Sequence, residues 1–64
     1  WYAVGNFFEE MKAYDSAVVY FRRAIEADPG YAPAYTDAGS AFIKMEQYDS
    51  AVVYLRKAVA LDNQ

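Results

Sequence analysis

The sequence predicts an all-α solenoid of two helix-turn-helix units, with four antiparallel helices in all. The first reason is an internal repeat, because the heptapeptide Tyr-Asp-Ser-Ala-Val-Val-Tyr at 14–20 recurs letter for letter at 48–54. The offset is 48 − 14 = 34 residues, a period typical of helical repeat proteins. The second reason is that each copy carries apolar residues at the helical spacing i, i+3, i+4 and i+7.

The first unit, residues 1–30, is predicted to contain two helices. The first helix is indicated by residues that share one helix face, Trp1, Val4, Gly5 and Phe8. We expect Asp15 to be the N-cap of the second helix, since aspartate is a preferred capping residue. That helix is expected to end before Pro29, because proline cannot continue a helix.

The second unit, residues 31–64, repeats this plan. Its first helix is predicted to begin near Pro33, since proline suits the first helical turn. Asp49 is the expected cap of its second helix. The connections are short, so neighbouring helices are expected to be antiparallel. The two units are expected to form one structural domain, and the chain to be a piece of a longer array.

Both units place a glycine inside the first helix. Glycine costs about 1 kcal/mol there relative to alanine, so a repeated glycine indicates a repeated need for space. We expect Gly5 to face Ala17 and Gly39 to face Ala51, where the two helices of each unit approach closely.

The turn inside each unit carries no glycine. Lys12, Ala13, Glu46 and Gln47 are all good helix formers. A left-handed residue at this turn costs on the order of 1 kcal/mol. Two outcomes stay open: an ordinary turn, favoured by the aspartate caps, or a hairpin that opens and exchanges helices with a second copy.

Composition argues against several classes of function. The net charge of −3 argues against a nucleic-acid partner, which selects a basic surface. No apolar run approaches the roughly 20 residues of a membrane span. The sequence has no histidine and no cysteine, and neither Ser16 nor Ser50 has a nearby base to activate it. We therefore expect no enzyme activity, no catalytic residue, no cofactor and no metal, and the residues indicate no localisation.

Both copies resemble the tetratricopeptide repeat, whose pattern is W-x2-L-G-x2-Y, then A-x3-F, A and P. The first copy carries the pattern at Trp1, Val4, Gly5, Phe8, Ala17, Phe21, Ala24 and Pro29. The second carries it at Tyr35, Ala38, Gly39, Phe42, Ala51, Leu55 and Ala58, with Asn63 in place of the proline. The resemblance implies a right-handed stack whose first helices line a concave groove. It also implies a non-catalytic scaffold that binds a peptide or a protein.

The resemblance places candidate groove residues on the outer faces of the two first helices. These candidates are Tyr2, Asn6, Glu9, Thr36, Asp37, Ser40 and Lys44. One subclass of the family clamps a peptide carboxylate with a lysine and two asparagines. Tyr2 stands at the lysine position and Asp37 at the second asparagine position, which indicates that this chain has no carboxylate clamp. The groove is expected to accept basic or neutral peptides, and the alternative is that its charges are only solvated.

A second function class stays open, a structural unit that forms homo-oligomers. Each unit buries its apolar face against neighbours, so about three units are usual in a stable array. The last helix is expected to expose Val52, Val53, Leu55 and Val59. Copies would then associate through the exposed repeat ends or by helix exchange.

Overall fold

A computed structural model describes residues 1–63 of the chain as four helices. They are α1 Tyr2–Glu10, α2 Tyr14–Ala27, α3 Ala32–Lys44 and α4 Tyr48–Asp62. Consecutive helices pack on one another, and α1 also touches α3. Residues 1–63 contain no strand, and Gln64 at the end of the predicted second unit lies outside this range. The predicted all-α architecture of two helix-turn-helix units is confirmed.

The core is continuous across the two units. One cluster of buried residues joins Val18 of α2 to Ala41 and Phe42 of α3 and Ala51 of α4. A second cluster joins Ala17 and Phe21 of α2 to Ala38 of α3. Because α2 and α3 contribute to both clusters, the contact between the two units is part of the same apolar core as the contacts inside each unit.

The helix glycines allow close approach between the two helices of each unit. A Cβ atom added to Gly5 would lie 2.6 Å from the ring of Phe21, its nearest neighbour. A Cβ on Gly39 would lie 2.7 Å from Leu55, with the backbone oxygen of Ala51 third nearest at 3.3 Å. Phe21 and Leu55 reach the glycines because helical side chains lean toward the N-terminus of their helix.

The predicted aspartate caps were wrong. The residues at the N-cap positions of α2 and α4 are Ala13 and Gln47, and neither makes a side-chain capping hydrogen bond. Asp15 and Asp49 lie inside the first helical turn. Their negative charge at this place is still favourable, because it faces the positive end of the helix dipole.

Both turns inside the units contain a left-handed residue that is not glycine. Lys12 has φ 63° and Glu46 has φ 61°. The backbone N–H that follows each of them donates across the turn at 2.9 Å, to the carbonyl oxygens of Phe8 and Phe42 respectively. The chain therefore adopts the ordinary turn. In each unit this hydrogen bond satisfies a carbonyl oxygen at the end of the first helix and offsets the free-energy cost of the left-handed backbone.

Candidate functional site

All seven predicted binding residues lie on α1 and α3, and we call the surface around Tyr2, Asn6, Glu9 and Asp37 the groove face. Its central contact joins the two units. The hydroxyl of Tyr2 donates to Oδ2 of Asp37 at 2.5 Å. This hydrogen bond raises the pKa of Tyr2 above 10.0, and partial burial of the ring adds to the rise. Tyr2 and Asp37, two of the predicted site residues, are thus brought together across the two units.

Aromatic rings form the apolar part of the groove face. The ring of Tyr2 meets Tyr31 edge to face at 5.2 Å and lies 5.9 Å from the core ring of Phe21. Tyr31 was not predicted as a site residue. It lies in the linker before α3, outside the repeat motif, so the 34-residue offset gives it no counterpart to compare.

The side chain of Glu9 contains a carboxylate oxygen that lacks a hydrogen-bond partner in the described chain. Its Oε2 atom is buried and has no hydrogen-bond partner among residues 1–63. Burial is the main cause that raises the pKa of Glu9. The positive charge of Lys44 opposes that rise in pKa, and the negative charge of Asp37 adds to it. The three charged groups therefore act on one another across α1 and α3.

The remaining predicted residues have separate local roles. Asn6 is half-buried and opposes the rise in the pKa of Tyr2. The hydroxyl of Thr36 donates within α3 to the backbone of Ala32 at 3.4 Å. Ser40 is half-buried on the next turn of α3. Lys44 places Nζ 5.4 Å from the ring centroid of Tyr14, so it lies at the seam between α2 and α3.

The described residues do not offer a site for a metal ion. Within residues 1–63, no group of three or more histidine, cysteine, aspartate or glutamate side chains could hold one. No helix within this stretch is both long enough and apolar enough to cross a membrane.

A second apolar surface lies on α4. Val52, Val53 and Val59 are exposed there, as the sequence predicted, whereas Leu55 is half-buried. A shallow apolar groove of about 330 Å³ runs along this helix, lined by Val52, Leu55, Arg56 and Val59. Exposed valines in such a row are typical of an association surface.

Four helices that repeat at 34 residues and share one core define an α-helical repeat protein. A family model described as tetratricopeptide repeat matches residues 9–64. The chain therefore belongs to the tetratricopeptide repeat family. Repeats of this family generally mediate protein–protein interaction and are typically non-catalytic. A comparison with curated proteins found no significant match.

Proposed function

We propose that this chain is a non-catalytic interaction module that binds a peptide or protein segment on the groove face. In this proposal residues 1–30 and 31–64 are the two units of one domain. The observation that carries the proposal is the Tyr2–Asp37 hydrogen bond, because it joins α1 and α3 into a single preformed surface. A preformed surface loses little conformational entropy when it binds, which favours affinity.

The chemistry of the groove face favours a partner that donates hydrogen bonds. The carboxylates of Glu9 and Asp37 both carry acceptor oxygens, and those open to a partner are Oε1 of Glu9 and Oδ1 of Asp37, since Oε2 of Glu9 is buried and Oδ2 of Asp37 accepts from Tyr2. Tyr2 and Tyr31 add flat apolar area beside them, and Tyr31 is exposed. A peptide with lysine or arginine next to an apolar residue satisfies both features, whereas a peptide carboxylate is repelled by Asp37.

A peptide array tests this proposal directly. The labelled chain is incubated with peptide families that differ only in whether one position is lysine, glutamine or glutamate. We expect retention to fall in that order. Glu9→Lys and Asp37→Lys should abolish the preference, while Asp15→Lys, an exposed charge reversal on α2, should preserve it. Equal retention of all three peptides would show that the groove charges are only solvated and would overturn the proposal.

Self-assembly is the second candidate function, and a specific observation favours it. Val52 and Val59 on α4 are 48% and 58% exposed, although they belong to the apolar stripe of the repeat. In this reading the main partner of the chain is another copy of itself. Measuring sedimentation as a function of concentration tests it, because a strict monomer at high concentration excludes it.

A further inference from the structure

An apolar pocket of about 510 Å³ lies where α4 meets the start of α3, and it shares no residue with the groove face. Its lining residues are Tyr35 of α3 and, on α4, Val53, Tyr54, Arg56, Lys57 and Ala60. The walls are almost wholly apolar, so Arg56 and Lys57 line the pocket with their aliphatic stems and hold their charged ends at its rim. A volume of this size is in the range of small-molecule sites.

The openness of this pocket is a property of the repeat. Its α4 residues have four counterparts on α2 at the 34-residue offset, namely Val19, Arg22, Arg23 and Glu26. All four are exposed, although α3 packs against α2. A unit that followed α4 in the same way would therefore leave the α4 wall of the pocket open.

The first unit shows how this surface holds an aromatic ring. The indole of Trp1 stacks on Tyr20, with ring centroids 5.8 Å apart. The guanidinium carbon of Arg23 lies 5.4 Å from the centre of the same indole ring. Tyr20 and Arg23 correspond to Tyr54 and Lys57, so the pocket carries the same two kinds of group. A tyrosine ring and a cation hold a flat ring by stacking and by cation–π attraction.

Two differences between the units enlarge the pocket and change its charge. Tyr35 stands in place of Trp1, and its smaller ring lies further from the tyrosine beside it, 6.2 Å from Tyr54. Ala60 stands in place of Glu26, which removes both bulk and a negative charge. The depression at the first-unit positions has a volume of only about 270 Å³, and Glu26 lines it. The second unit thus combines a larger pocket with two cations and no acidic wall.

We propose that this pocket binds a small aromatic carboxylate, with its ring against Tyr54 and its carboxylate at Arg56 and Lys57. Removal of the ring from water drives binding, and the flat tyrosine wall favours an aromatic ring over an aliphatic chain. The rim cations select the acid, because hydrogen bonds between ionised groups are the strong ones. A ring that carries a cation is repelled, and a neutral ring gains nothing from the rim.

The test titrates the ¹⁵N-labelled chain with three naphthalene probes, 2-naphthoate, 2-naphthamide and 2-naphthylmethylammonium. The amide shifts should be largest at Val53, Lys57 and Ala60. The carboxylate should bind about fivefold more tightly than the neutral amide, which is the effect of two modest ion pairs at an exposed rim. The ammonium probe should bind most weakly. High salt should remove most of these differences, because exposed charges are screened.

Two substitutions at one position separate charge from bulk. Ala60→Glu restores the negative charge that the first unit has at this place, whereas Ala60→Gln adds nearly the same bulk without charge. The glutamate variant should bind 2-naphthoate about threefold or more weakly than the glutamine variant. Arg23→Glu, at the first-unit counterpart of Lys57, should leave the affinity unchanged. Ala60 and Arg23 are exposed, so the core is kept, and the amide spectrum shows that each variant is folded.

Four results would each overturn the proposal. The first is equal affinity for 2-naphthoate and 2-naphthamide, and the second is the absence of shifts at Val53, Lys57 and Ala60 up to the solubility of the probes. The third is a set of shifts centred on Val52 and Val59, which would place the ring in the other groove of α4. The fourth is a shift of the pocket amides when the chain is concentrated without a probe, because a second copy would then be the occupant.

Discussion

Replacing Lys12 or Glu46 by glycine is expected to stabilise the chain. Both residues hold φ near +60° in the turns inside the units, 63° for Lys12 and 61° for Glu46. An L residue with a side chain is strained in this region because its Cβ atom crowds the following carbonyl oxygen. Both side chains are exposed, so their removal takes nothing from the core.

The magnitude follows from two opposing terms. A residue with a side chain loses about 1–2 kcal/mol in the left-handed conformation. Glycine escapes that cost but loses more backbone freedom on folding, about 0.5–1 kcal/mol. The net gain is therefore about 0.5–1 kcal/mol for either Lys12→Gly or Glu46→Gly. For a domain of this size that corresponds to a rise in Tm of about 2–8 °C.

The assay is thermal unfolding followed by circular dichroism at one low protein concentration, because self-association would raise the apparent Tm. The matched controls are Ala13→Gly and Gln47→Gly, the next residues in the same turns, where φ is −90° and −99°. They should destabilise by about 0.5–1 kcal/mol, since only the entropy term applies. If Lys12→Gly lowers Tm as much as Ala13→Gly does, the strain argument is refuted.

Three further perturbations test the packing and the groove face. Gly5→Ala should cost about 1 kcal/mol in urea unfolding, because crowding of a fully buried ring 2.6 Å from the added Cβ, about 1–3 kcal/mol, outweighs the roughly 1 kcal/mol that alanine gains in helix propensity. The control Gly30→Ala should leave stability unchanged, because the atom nearest to its added Cβ lies 3.7 Å away. Equal urea midpoints for the two variants would contradict the close approach at Gly5. Asp37→Ala should lower the pKa of Tyr2 toward 10.0 in an NMR titration. The stability that this contact gives is present below pH 10.0 and lost as the pH rises through the raised pKa, so an unchanged titration contradicts the contact. Glu9→Gln should raise Tm at neutral pH, because burial disfavours the ionised carboxylate. That gain should vanish as the pH falls below 4.5, and a gain that persists in acid would point to another cause.

The repeat explains why most of the fold was predictable from the sequence. Helical periodicity and the 34-residue offset identified all four helices, and Pro33 lies in the first turn of α3 as expected. The caps were missed for a local reason. The N-cap positions are Ala13 and Gln47, two residues before the predicted Asp15 and Asp49, and helix starts are uncertain by one or two residues in the sequence pattern.

The groove face was predictable as a set of positions but not as a set of contacts. The offset pairs Asp37 with Ala3, so nothing in the repeat indicates that Asp37 accepts from Tyr2. That contact depends on the rotation between the two units, which arises from packing along the whole contact between them. Tyr31 was missed because it lies in the linker, outside the motif that the repeat makes visible.

NMR mapping of a lysine-containing peptide selected from the array tests the central claim most directly. The ¹⁵N-labelled chain is titrated with this peptide, and the amide shifts are followed residue by residue. Binding on the groove face predicts the largest shifts at Tyr2, Glu9, Tyr31 and Asp37, with little change on α4. Shifts confined to α2 and α4, with α1 and α3 unaffected, would contradict the claim that this chain recognises its partner through its first helices.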